Sequence, residues 1–167
     1  MYKEILTDKT IKISEIHLGG GTPTFFAPQN LHRLIDGILA GNEKTEGASF
    51  SFEAHPANTT EEHLQTLFDL GFKRLSLGIQ DFDEHVQFII NRKQTVQDVE
   101  RVMEAARKIG YESINFDLIY GLPKQTIDTV RHTVALSLAM SPDRISFYSY
   151  AHVPWIKPGQ RRFTELD

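Results

Sequence analysis

A glycine triplet, two acids, a glutamine and an arginine are the residues of this chain best suited to chemistry. Gly19-Gly20-Gly21-Thr22-Pro23-Thr24 follows an apolar and β-branched run over 11–18. Bare backbone there lets a ligand approach the main chain closely, and exposed strand-edge carbonyls can accept from an ammonium group. Phosphate cradling is disfavoured. No Lys follows the last glycine, and Thr24 stands where a dinucleotide fingerprint needs its third Gly. A tight turn is the competing reading, although three glycines exceed what a turn needs. Glu53 ends an apolar run, so its carboxylate must be hydrogen-bonded or paired. It suits ribose hydroxyls, an ammonium group or a metal. Asp117 lies inside the apolar stretch 114–120, and Gln80 closes the run 74–79. Arg92, in Asn91-Arg92-Lys93-Gln94, offers the rigid donor fork that a carboxylate ligand prefers. A solvated basic loop is the alternative for it.

These residues need elements to position them. Strand-like runs cover 11–18, 48–52, 74–79, 113–119 and 144–150. Helical faces alternate with them. Leu31, Leu34, Ile35, Ile38 and Leu39 form the first, entered through Pro28. Leu64, Leu67, Phe68 and Leu70 form the second, with Thr59 and Glu62 spaced as a capping box and Gly71 as the stop. Val96, Val99, Met103, Ala106 and Ile109 form the third, ended by Gly110. Ile127, Val130, Val134 and Leu138 form the last, stopping before Pro142. A short helix is expected through Val86, Ile89 and Ile90. Such alternation implies right-handed βαβ units and a parallel sheet. Strand C-termini then open on one face, where ligands bind. The glycine triplet with Thr22, Glu53, Gln80, Asp117 and Ala151-His152 fall near five successive strand ends. Helix capping competes for Thr22 and Asp117 individually.

Composition narrows the function. The 167 residues carry 18 Lys+Arg against 22 Asp+Glu, a formal net charge of −4, with seven His and no Cys. Without cysteine the chain offers no disulfide, no thiolate nucleophile and no thiolate of its own for a cluster. Mild acidity argues against a nucleic-acid partner. No apolar run approaches the roughly 20 residues that span a bilayer, and residues 1–4 lack the apolar core of a secretory signal. A cytoplasmic protein is expected. His55 and His152, near Glu53 and Asp117, raise a metal-dependent hydrolase as an alternative. No His-x-His or His-Glu-x-x-His pair supports it. His32, His63, His85 and His132 read as helix-surface residues.

Taken together, the strings resemble a known family. Glu15-Ile16-His17-Leu18-Gly19-Gly20-Gly21-Thr22-Pro23-Thr24 is similar to the second-strand motif of radical S-adenosylmethionine (SAM) enzymes. The segments 72–82, 91–94 and 115–126, with Tyr150-Ala151-His152-Val153-Pro154, resemble the oxygen-independent coproporphyrinogen III oxidase (dehydrogenase) family across nearly the whole chain. A related haem chaperone fits less well, since it usually has Leu-Gly-Arg-x-His in place of 91–94 and lacks the Tyr-Ala-His-x-Pro string.

The resemblance implies a partial (β/α) radical-SAM-type barrel, with about five parallel strands and outer helices. Residues 1–167 would form one partial barrel domain of a longer enzyme. The family oxidatively decarboxylates two propionates of coproporphyrinogen III to vinyl groups, giving protoporphyrinogen IX in haem biosynthesis. It uses SAM, a [4Fe-4S] cluster, a 5′-deoxyadenosyl radical and an electron donor, without nucleic acid or membrane. Carried over, Gly20, Gly21 and Thr22 would hold the methionine end of SAM. Glu53, Gln80, Arg92 and Asp117 would supply polar contacts, Arg92 best suited to the methionine carboxylate. Ala151 backbone groups would meet the adenine. Two departures stand out. The family's Cys-x-x-x-Cys-x-x-Cys loop is absent, so this chain alone is expected to be inactive. His55 also stands where relatives often carry Asp. A non-catalytic SAM- or tetrapyrrole-binding module is the other alternative.

Overall fold

Alternate residues of the central strands are large and apolar, and in a strand alternate side chains share a face. In the computed structural model, which describes residues 10–164, this pattern builds a five-stranded sheet with all strands parallel and in chain order. The strands are β1 (Lys12–Leu18), β2 (Glu43–Ala54), β3 (Phe72–Gln80), β4 (Ser113–Tyr120) and β5 (Arg144–Ser149). The helices are α1 (Pro28–Leu39), α2 (Glu61–Asp69), α3 (Glu84–Ile89), α4 (Val96–Ile109) and α5 (Ile127–Ala139). The sheet curls into a half-barrel with outer helices.

One face of the sheet carries Phe50, Phe52, Phe72, Leu75, Leu77, Ile114, Phe116 and Leu118. These pack with Leu31 and Ile35 of α1, Leu64 and Leu67 of α2, and Val99, Val102 and Ala106 of α4. Each fully buried side chain of this size contributes roughly 1.5–3 kcal/mol. The opposite, concave face carries Ser51, Glu53, Arg74, Ser76, Asn115 and Asp117. The same alternation that fills the core therefore lines the inside of the half-barrel with polar groups.

Four details depart from the sequence reading. β2 begins at Glu43, five residues before the apolar run, because Lys12 and Ile13 pair with Glu43 and Lys44 before a register shift in the ladder. The α2 capping box is formed by Thr60 and His63. Thr59 stands outside the helix, with its hydroxyl against the His55 carbonyl (2.9 Å) and the Thr24 hydroxyl (3.1 Å). His63 is consequently buried: Nδ1 accepts from Thr60 N–H, and Nε2 lies 2.9 Å from the Phe26 carbonyl.

α5 also rotates away from the expected apolar face. Thr133, Leu136, Ser137 and Met140 turn inward, while Ile127 and Leu138 remain exposed. The cause is polar docking. The Thr133 hydroxyl donates to Asp81 at 2.7 Å and accepts the Phe82 N–H at 3.0 Å, which fixes the helix rotation. Gly110 ends α4 in the left-handed region (φ 105°), as its position in the sequence implies.

Candidate functional site

Parallel pairing brings the C-terminal ends of all five strands to one rim, and two clusters of the expected residues form there. The first gathers over Gly19, just past β1. Gly20 N–H donates to Glu53 Oε2 at 3.4 Å, and His17 Nε2 lies 3.5 Å from Glu53 Oε1. His17 Nδ1 meets the Ser51 hydroxyl at 2.9 Å. Gly20 and Gly21 take positive φ (74° and 83°), a backbone that side chains with a Cβ rarely adopt. Thr22 caps the following single turn (Pro23–Phe25), with its carbonyl accepting from Phe25 N–H.

The second cluster gathers over Gly78, which pairs in register with Asp117. Gln80 closes β3 at φ 70°, beside a register shift, and its side chain folds back over Gly78. Non-glycine residues held in this region cost about 1–3 kcal/mol and persist where surrounding contacts enforce them. Here the enforcement is visible. Arg92 Nη2 donates to the Gly78 carbonyl, Gln94 Nε2 to the Ile79 carbonyl at 2.7 Å, and Gln87 Nε2 to the Asp81 carbonyl at 2.9 Å. A Cβ on Gly78 would stand 3.0 Å from Arg92 Nη2 and 3.2 Å from Gln80 Nε2. Glycine at 78 leaves room for both.

Arg92 is therefore a built-in group rather than a solvated loop residue. Its Nε donates to Gln94 Oε1 at 3.1 Å, and its backbone N–H to the Gln87 carbonyl at 2.8 Å. Burial pulls its guanidinium down to about 10, with the Asp117 carboxylate opposing, so it stays cationic at neutral pH. Burial, and then the Arg92 charge, hold His55 below its ordinary value, against a smaller upward pull from Asp98. His55 Nδ1 accepts the Ala57 N–H, a local capping role.

The clusters are joined through β3 and β4. Glu53 pairs in register with Ser76, whose hydroxyl donates to Asp117 Oδ2 at 2.6 Å. Asn115 Nδ2 donates to Asp117 Oδ1 at 2.8 Å, and the Ser146 hydroxyl reaches Asn115 Oδ1 at 3.1 Å. Below the rim, Glu53 and Asp117 line a concave pocket of about 540 Å³ together with His17, Ser51, Ser76 and Asn115. Arg92 instead borders a separate hollow of about 310 Å³ with Phe88 and Phe163. Ala151 follows β5, and its carbonyl accepts from Gln160 Nε2 at 3.1 Å.

His17, Ser76, Asn115, Ser146 and Gln94 did not stand out among the sequence candidates. The signal for the first four was period-two alternation: Glu15 and His17, Arg74 and Ser76, Asn115 and Asp117, Arg144 and Ser146 are each spaced by an apolar residue. Among the described residues no three His, Asp or Glu side chains could share a metal ion. The described residues also contain no helix long and apolar enough to cross a membrane.

A glycine-lined rim with flanking acids on a parallel half-barrel defines a class. The chain belongs to the radical SAM superfamily, whose family model matches residues 2–137. Membership implies SAM and a [4Fe-4S] cluster as cofactors. More narrowly, the chain is similar to oxygen-independent coproporphyrinogen III oxidases. It is 44% identical to that of Helicobacter pylori strain J99 over 95% of this chain and 35% of the relative. It is 42% identical to that of Pseudomonas aeruginosa over 93% of this chain and 34% of the relative. Among solved structures, coproporphyrinogen III oxidase from Escherichia coli superposes with a TM-score of 0.89. The two are 38% identical over 93% of this chain and 36% of the other. An archaeal Elp3 from Methanocaldococcus infernus shares the fold alone, with a TM-score of 0.69 at 17% identity over 95% of this chain and 43% of the other. The chain spans about a third of the length of the curated relatives it matches.

Proposed function

We propose that this chain is the SAM-binding part of an oxygen-independent coproporphyrinogen III dehydrogenase. The reading takes residues 1–167 as one partial barrel domain of a cytoplasmic enzyme of haem biosynthesis. Its substrate would be coproporphyrinogen III, and it would draw on an electron donor. The observation that carries the reading is 37–44% identity, along nearly all of this chain, to enzymes named oxygen-independent coproporphyrinogen III oxidase.

The donor set fits SAM. Gly20, Gly21 and Thr22 offer open backbone to the methionine end, and Glu53 offers a carboxylate to ribose hydroxyls or the ammonium. Arg92 offers a rigid cation to the methionine carboxylate. Gln80 and Asp117 add hydrogen-bonding groups at the second cluster, and Ala151 offers backbone to the adenine. When bound with a reduced cluster, SAM supplies radical abstraction of a hydrogen atom. The protein's part is placement and the exclusion of water. For the cluster the residues do not fit, because the 167 residues contain no cysteine. Its thiolates would come from outside these residues.

The test is the purified protein that carries this sequence, reconstituted anaerobically with iron and sulfide. Given SAM, an electron donor and coproporphyrinogen III, it should yield protoporphyrinogen IX with release of carbon dioxide. SAM binding without any decarboxylated product would contradict the reading in favour of a non-catalytic SAM- or tetrapyrrole-binding module.

A further inference from the structure

The third glycine of the triplet needs an explanation of its own. Gly20 and Gly21 adopt positive φ, so their backbone requires glycine, whereas Gly19 does not share that conformation. What excludes a side chain at 19 is space. A Cβ there would stand 2.7 Å from His17 Nε2 and 3.1 Å from Glu53 Oε1. The first of these is closer than real Cβ atoms come, and the atom it meets belongs to a ring held at its other nitrogen by Ser51.

We propose that His17 is a positioning residue for Glu53, and that Gly19 is glycine to leave room for the pair. The proposal rests on the reading of Glu53 as a SAM contact. The imidazole is anchored at Nδ1 by the Ser51 hydroxyl (2.9 Å), which leaves Nε2 facing Glu53 Oε1 at 3.5 Å. The other carboxylate oxygen faces the Gly20 N–H at 3.4 Å. Held between ring and backbone, the carboxylate loses rotamer freedom before a ligand arrives, and preorganisation of this kind raises affinity. Stability is a poor reason for the arrangement. Both side chains are about half exposed, and exposed ion pairs contribute little to folding. His17 is not assigned contact with the cofactor.

The experiment is calorimetric titration of SAM into the anaerobic protein carrying this sequence. The variants are His17→Ala, His17→Gln, Gly19→Ala, the Gly19→Ala/His17→Ala double and Glu53→Gln. One polar contact of ordinary strength corresponds to roughly 3–10-fold in affinity, and that loss is expected for His17→Ala with an unchanged thermal midpoint. His17→Gln, which keeps an N–H donor toward Glu53, should restore most of it. Gly19→Ala should weaken binding alone, yet add little in the His17→Ala background, since residues that act through one contact are non-additive. Unchanged affinity in His17→Ala, with Glu53→Gln weakened, would overturn the proposal alone. So would full additivity of the double variant, or no rescue by glutamine. Unchanged affinity in Glu53→Gln would overturn the site reading, and this proposal with it.

Discussion

Arg92→Ala is expected to weaken SAM binding by roughly 10–150-fold, the loss of a charge-assisted hydrogen bond worth about 1.5–3 kcal/mol. The size of the effect follows from how the side chain is held. The Gly78 carbonyl and Gln94 Oε1 fix the guanidinium, so little rotamer entropy remains to be lost when a carboxylate binds. Its charge persists at neutral pH despite burial, helped by Asp117. Arg92→Lys should rescue poorly, because an ammonium cannot satisfy the Gly78 carbonyl, Gln94 and a bidentate ligand together. Calorimetric titration reads the result. An affinity within threefold of the parent protein would contradict the assignment of Arg92.

Asp81→Ala is expected to destabilise the fold by about 3–5 kcal/mol: the buried Thr133 hydroxyl loses its acceptor at roughly 1–3 kcal/mol, and the half-buried Asp83 N–H and Gln125 amide lose theirs at about 0.5–1.5 kcal/mol each. Asp81 is wholly buried. It accepts from the Asp83 N–H and the Thr133 hydroxyl, each at 2.7 Å, and from Gln125 Nε2. Gln125 in turn accepts the Gly121 and Leu122 N–H groups. One carboxylate thus ties the end of β3 to the β4–α5 connection and sets the rotation of α5. Urea unfolding monitored by circular dichroism measures the loss. A change within about 0.5 kcal/mol, the range of an ordinary surface substitution, would show that the hub is dispensable.

Both predictions concern features only partly legible in the sequence. The strand-like runs at β3 and β4 and the glycine stop of α4 are legible, because local pattern and tertiary packing agree there. The start of β2 was hidden, since Glu43-Lys44-Thr45-Glu46-Gly47 looks like a loop and becomes a strand only by pairing with β1. Thr59 and Thr60 are equally good caps in isolation. The choice falls to Thr60 because the Thr59 hydroxyl is engaged with His55 and Thr24. The polar docking of α5 through Thr133 overrode an apolar stripe that periodicity favoured.

The candidate site shows the same division. A parallel sheet places every strand end on one rim, so Glu53, Gln80 and Asp117 could be grouped from spacing alone. Which side chains touch could not. The left-handed Gln80, the Arg92 contact with the Gly78 carbonyl and the His17–Glu53 pair all depend on register shifts and crossings that no local string encodes. Arg92 in particular looked like a surface residue until its partners were visible.

Titration of SAM into isotopically labelled protein, followed by nuclear magnetic resonance, tests most directly whether this rim is a cofactor site. Saturable shifts with one common dissociation constant are predicted at the Gly20, Gly21 and Ala151 backbone amides and the Gln80 side-chain amide. Shifts confined to the outer helices, or no shifts at saturating SAM, would contradict it.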